Sequence, residues 1–302
     1  KAIPSTCRVI FVGDPDQLPS VSAGNVLRDM IDSERIDVAK LDVVFRQNEE
    51  SVIVKNSQKI NSGDTHLVYS KKFIHCYRDN NEEIFEKASN FYVNCVKAYG
   101  IDNVVLLTPW RNKGTLCVNE FNKHLHERLN SKKSDELTVN INNVEFRIGD
   151  KVMQTKNNYD MVYSRENGED GMGIFNGDMG IIESISVRDK CMNIVFDEDK
   201  LVEYPFTNLD ELDLAYAITV HKSQGSEFPI VIMPVCSFSP MLMSRNLFYT
   251  AVTRARDMVV LVGSEKTIQN MTMNNQFHQR FTGLTEKLVA VKKFVAEKGE
   301  NS

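Results

Sequence analysis

Apolar residues fall along this chain in three rhythms, and each predicts a different layer of structure. Short unbroken runs at Arg8 to Val12, Leu41 to Val44, Val104 to Leu107, Ile230 to Val235 and Met258 to Val262 fit strands of a parallel sheet buried on both faces. Between them, apolar positions recur at helical spacing. Phe85, Ala88, Tyr92, Cys95, Val96 and Tyr99 mark one face of a helix from Glu82 to Tyr99, with Gly100 as its stop. Cys117, Phe121, Leu125 and Leu129 mark a second. Helices are also predicted at Asn25 to Ile31, from a Ser51 cap to near Gly63, at Leu247 to Arg254 and at Leu284 to Phe294.

The strand and helix alternation breaks at about Leu137. From there to about Asn208, short segments rich in Val, Ile, Phe and Tyr are separated by polar turns at Ile148-Gly149-Asp150, Asn176-Gly177-Asp178 and Asp197-Glu198-Asp199. This pattern predicts a small antiparallel barrel inserted into the parallel-sheet domain. The glycine-containing stretch from Tyr163 to Gly173 is predicted as a mobile loop in it.

With 302 residues, 42% hydrophobic and 25% charged, the composition is that of an ordinary globular protein with room for two domains. A formal net charge of -5 excludes a uniformly basic coat, so any surface for nucleic acid must be a local groove. Six scattered cysteines without a C-x-x-C pair predict free thiols and a reducing, cytoplasmic setting. No apolar run is long enough to cross a bilayer, and the cysteines and histidines lack the spacing of a zinc site.

Polar clusters follow several of the predicted strands, where an α/β sheet presents its chemistry. Gly13-Asp14-Pro15-Asp16-Gln17 puts an amide that can both donate and accept at a strand end, suited to a terminal phosphate or an attacking water, or else it is a plain Asp-Pro turn. Gln224-Gly225-Ser226-Glu227 combines a glycine that permits close backbone approach with a carboxylate acceptor. Arg46 and Arg254 offer planar, permanently charged forks that match phosphoryl oxygens. Thr108-Pro109-Trp110-Arg111 contains the single tryptophan, which either stacks on an unpaired base or plugs the core. Lys151, Gln154, Lys156 and Asn157 flank the apolar residues of a barrel segment.

Taken in order, VGDPDQLPSV (Val12 to Val21), TVHKSQGSEF (Thr219 to Phe228) and SRNLFYTAVTRAR (Ser244 to Arg256) resemble three motifs of the superfamily 1 DNA helicases, most closely the RecD-like group that travels 5′ to 3′. The resemblance covers nearly the whole chain. It implies an α/β fold: a RecA-like parallel-sheet domain of the P-loop NTPase type at 46–136 and 209–302, an SH3-like barrel at 137–208, and a remnant of a first RecA-like domain at 1–45. It implies that Gln17, Arg46 and Arg254 serve catalysis, that Gly13, Asp14, Gly225 and Glu227 face nucleotide, and that Thr108, Trp110, Arg111, His221, Lys222 and Ser223 lie along single-stranded DNA. ATP and Mg2+ are the implied cofactors.

The glycine-rich phosphate loop G-x-x-x-x-G-K-[ST] does not occur in the sequence, and in the resembled family it lies upstream together with the acidic pair that holds magnesium. The reading is therefore of a C-terminal portion, inactive alone, whose partners are a missing N-terminal helicase domain and nuclease or relaxase proteins. A non-catalytic module that binds a single strand and an RNA-directed superfamily 1 helicase are the alternatives.

Overall fold

The computed structural model describes residues 3–4, 6–19, 24–41, 51–132, 137–141, 144–197, 199–237, 242–275 and 282–290. In chain order its elements are α1 (Val26–Asp32), α2 (Val52–Ser62), β1 (Phe73–Cys76), α3 (Asn81–Tyr99), β2 (Val104–Thr108), α4 (Val118–Leu129), β3 (Thr138–Ile141), β4 (Val144–Arg147), β5 (Lys151–Gln154), β6 (Asn158–Ser164), β7 (Asp170–Ile174), β8 (Met179–Ser186), β9 (Cys191–Phe196), β10 (Lys200–Pro205), β11 (Leu212–Leu214), β12 (Ala217–Thr219), β13 (Phe228–Val235), α5 (Arg245–Val252), β14 (Ala255–Gly263) and α6 (Glu265–Met273). Residues 284–290 are also helical.

The runs at Val104 to Leu107, Ile230 to Val235 and Met258 to Val262 lie in β2, β13 and β14, which join β1 and β12 in one parallel sheet of order β1-β14-β13-β2-β12. Alternate residues of each strand point to opposite faces, and both faces are covered. Val105, Leu107, Val231, Met233, Val259 and Leu261 pack with α2, α5 and α6. Val104, Leu106, Ile230, Ile232, Val260 and Val262 pack with α3 and α4, where Tyr92, Phe121 and Leu125 are fully enclosed. The central runs of β2, β13 and β14 are apolar because neither face meets water there.

The antiparallel part is a seven-stranded sheet, in the order β11-β5-β8-β9-β10-β6-β7, beside the β3–β4 hairpin. Its own core centres on Phe146, Ile182, Met192, Ile194, Phe196, Val202 and Tyr204. The sheet also takes in Leu212–Leu214, beyond residue 208.

Two expectations are corrected. The run Arg8 to Val12 forms no strand, with Ile10 85% and Val12 91% exposed. A strand exists only through a ladder partner, and none of the described strands lies alongside. The stretch from Tyr163 to Gly173 is a paired hairpin rather than a loop: β6 and β7 are joined by a turn in which Gly168 N donates to the Arg165 carbonyl at 2.9 Å. The glycines that hide the strand pattern make room for rings, because a Cβ on Gly171 would overlap Tyr163 and one on Gly173 would overlap Phe175. The predicted strand Leu41 to Val44 lies outside the described residues except for Leu41, which is exposed and not in a strand.

Two adjacent residues of the barrel enter the parallel-sheet part. Asp150 is fully buried and accepts from the Tyr216 hydroxyl at 2.8 Å, Asn130 Nδ2 at 2.6 Å and Arg147 N at 2.8 Å. His126 Nε2 lies 3.0 Å from its Oδ2, out of line for a hydrogen bond. Lys151, on β5, donates to the carbonyls of Ile101 at 2.9 Å and Val104 at 3.1 Å. Burial pulls its amine down to about 8, while Asp102 and Asp197 act the other way.

Candidate functional site

The loop from Gly13 to Leu18 is folded on itself by Asp14, whose Oδ1 accepts from Asp16 N at 2.9 Å and whose Oδ2 accepts from Gln17 Nε2 at 3.0 Å. The same Oδ2 accepts from the Tyr249 hydroxyl at 3.2 Å. That hydroxyl is held far above its ordinary value, first by burial and then by the Asp14 carboxylate. Three further bonds clamp the loop. Asn246 Nδ2 donates to the Asp16 carbonyl at 2.6 Å, Leu18 N donates to Thr250 Oγ1 at 2.9 Å, and Gln224 Nε2 donates to the Leu18 carbonyl at 2.6 Å. Asp16 in turn pairs with Arg28 at 3.0 Å and accepts from Asn61 Nδ2 at 2.9 Å.

Arg254 leaves the C-terminal end of α5 and is almost fully buried. Its Nη1 donates to the Ser226 carbonyl at 3.1 Å and its Nε to the Thr250 carbonyl at 3.3 Å. The fork therefore sits against the residue before Glu227, which is itself exposed, as is Gly225 at φ 89°. Gly13 is exposed at the start of the loop. Arg46 lies outside the described residues.

The structure thus brings Asp14, Gln17, Gln224 and Arg254 onto one framework around α5. Asn246, Tyr249 and Thr250 belong to the same framework and were not singled out from sequence. Their spacing was the available signal, since positions three and four apart share a helix face.

The residues read as strand-facing divide into two groups. Thr108 and Ser223 are fully buried, their hydroxyls donating to the carbonyls of Leu116 at 2.6 Å and Val220 at 2.8 Å. Both hydroxyls are thus engaged within the fold. Trp110 is half-buried against the cluster that α3 and α4 share. Arg111 is exposed and pairs with Asp213 at 2.7 Å. His221 and Lys222 are half-buried. The Lys222 ammonium reaches the barrel, donating to Asn176 Oδ1 and, at 3.4 Å, to the Thr155 carbonyl. Burial lowers its amine, Arg111 adds to that, and Asp213 opposes it.

Arg111 and Lys222 stand at the rim of a cleft of about 700 Å³ between α4, β4 and β11, where Lys123, Glu120, Glu127 and Asp213 also face in. Among the described residues no group of three or more His, Cys, Asp or Glu side chains could hold a metal ion. No helix of the described residues is long and apolar enough to cross a membrane.

Residues 214–262, which hold the second and third chemical segments, match the UvrD-like helicase C-terminal domain. Residues 121–196 match the SH3 domain of ATP-dependent RecD-like DNA helicases, and residues 1–81 match an AAA domain. Over these stretches the chain is similar to a helicase C-terminal domain and to an SH3 domain of the RecD-like kind.

Its likeness to RecD-like helicases runs over most of its length. The ATP-dependent RecD2 DNA helicase of Deinococcus radiodurans is 33% identical over 291 residues, covering 96% of this chain and 37% of that protein. The RecBCD enzyme subunit RecD of Mycolicibacterium smegmatis is 26% identical over 303 residues, covering 95% of this chain and 50% of that protein. The chain thus spans half or less of the length of these relatives. The solved structure of Pif1 helicase from Bacteroides in complex with ADP-AlF3 and ssDNA aligns at 16% identity and a TM-score of 0.46, over 95% of this chain and 66% of that one.

Proposed function

We propose that this chain forms the second half of an ATP-driven motor that moves 5′ to 3′ along single-stranded DNA, with nucleotide held between it and a companion domain that supplies the phosphate loop and magnesium. The observation that carries this reading is the clamp of Asn246, Thr250 and Gln224 on the Asp16 to Leu18 loop. A loop set against α5 in this way can pass a change at Gln17 to Arg254, and from there to the segment of Lys222 that faces the barrel. Gln17, Arg46 and Arg254 are the proposed catalytic groups, and Gly13, Asp14, Gly225 and Glu227 the proposed nucleotide-facing ones. Arg111, His221 and Lys222 are proposed to meet the strand.

The names of the relatives, an ATP-dependent DNA helicase and a subunit of the RecBCD enzyme, support an ATP-driven DNA helicase that can work within a larger assembly. The test is strand-stimulated ATP hydrolysis. The chain alone should give background rates, and addition of the companion domain should restore turnover that rises with single-stranded DNA. Robust hydrolysis by the chain alone would overturn the proposal.

A further inference from the structure

Two aromatic rings at the edge of the barrel belong to no core. Tyr159 is 66% exposed and Phe175 41%, with ring centroids 5.6 Å apart and planes at 72°. Both are pre-set. Asn157 Nδ2 donates to the Tyr159 hydroxyl at 3.3 Å, and Asn157 Oδ1 accepts from Asn176 N at 2.9 Å. Behind Phe175 the backbone is shaped to the ring: Gly173 has φ 102°, and a Cβ there would come within 2.7 Å of the Phe175 Cζ. Rings fixed in this way lose little freedom when something settles on them.

The position of the pair gives it a partner. Asn176, whose N–H goes to Asn157, takes the Lys222 ammonium on its side-chain oxygen. The rings therefore adjoin the point where the segment of Lys222 meets the barrel. Cations in the neighbourhood are already engaged, Lys156 with Asp210 at 2.6 Å and Arg111 with Asp213 at 2.7 Å, in a chain of net charge -5. Beyond Lys222, whose ammonium is bonded to neutral oxygens, a strand crossing this face finds little uncompensated positive charge, so its grip comes in good part from its bases. Aromatic faces supply that without regard to sequence.

We infer that Tyr159 and Phe175 form a stacking platform for an unpaired base of a single nucleic-acid strand that passes over the Lys222–Asn176 contact. The inference rests on the strand-binding reading above and adds a site to it.

The purified chain is titrated with oligothymidylates carrying one 2-aminopurine at successive positions, read by fluorescence. Wild type is expected to quench the probe at one or two positions. The double variant Tyr159→Ala, Phe175→Ala should lose that quench and bind about tenfold more weakly, with the salt dependence unchanged because no phosphate contact is removed. Tyr159→Leu with Phe175→Leu keeps the apolar surface and the fold but removes the π faces, and should fail in the same way. Wild-type affinity and quench in both variants would overturn the platform while leaving strand binding intact. Strand binding by the leucine variant alone would assign the patch to apolar contact with a protein and overturn it too. Absence of any binding by wild type would overturn both the platform and the reading beneath it.

Discussion

The Lys151 ammonium, carried on barrel strand β5, donates to the Ile101 carbonyl at 2.9 Å and so fastens the barrel to the turn that opens β2. Its amine falls from 10.5 in the unfolded chain to about 8 in the fold. Between those two values the unfolded state holds a proton that the folded state has released, so stability rises with pH across the window of about 8 to 10.5. Below it both states are charged, and enclosure of the ammonium costs about 3 kcal/mol relative to the neutral amine. Denaturant unfolding at about pH 8 and about pH 10 should show this gain in wild type. In Lys151→Met the difference between the two pH values should shrink by about 2 kcal/mol, the part of the gain that falls between them.

Asp150 is the second fastening. Replacing it with Asn keeps the shape but turns an amide NH2 toward a donor on one side or the other, either Arg147 N at the Oδ2 position or Asn130 Nδ2 at the Oδ1 position. Leaving a buried donor unsatisfied in this way costs about 1 to 3 kcal/mol. Chemical denaturation should register that loss, and hydrogen exchange should show it first at β4, β5 and α4.

Gly263 ends β14 beside the β13 strand, where a Cβ would overlap the Val235 carbonyl oxygen. The obstacle is backbone and cannot swing aside. Gly263→Ala should therefore destabilise by about 1 to 3 kcal/mol, lowering the thermal midpoint without changing the β-sheet content of the folded state.

Arg254 has two separable contributions. Its bonds to the Ser226 and Thr250 carbonyls give Arg254→Ala a stability loss that a thermal melt will report. Under the proposed function the same change should lower turnover of the assembled enzyme by about 10³- to 10⁵-fold. Strand affinity should stay close to wild type. Arg254→Lys, a point charge without the fork, should regain little of the turnover. A rate that follows only the loss of folded protein would assign Arg254 to the framework alone.

Much of the parallel sheet was legible because burial on both faces writes itself into sequence as unbroken apolar runs, as at Val104 to Leu107 and Ile230 to Val235. Arg8 to Val12 carries the same signature and forms no strand, since the pairing that makes a strand is set by distant chain. The β6–β7 hairpin was hidden by Gly171 and Gly173, whose purpose shows only when the Tyr163 and Phe175 rings are in place. At the candidate site the polar segments were readable as clusters, but the clamp of Asn246, Tyr249 and Thr250 was not. Nor did a Gly-Asp turn announce that Asp150 and Lys151 would be buried. A polar residue looks alike in a solvated turn and in a junction until its partners are known.

The strand order also dictates a timetable for synthesis. β1 and β2 leave the ribosome early, but their neighbours β14, β13 and β12 are all encoded after residue 216. The barrel strands from β5 to β10 pair with one another and can close as soon as they emerge. Newborn chains should therefore pass through a stage with a finished barrel on an open α/β half, whose naked apolar strands need shelter from a chaperone until the last third is translated.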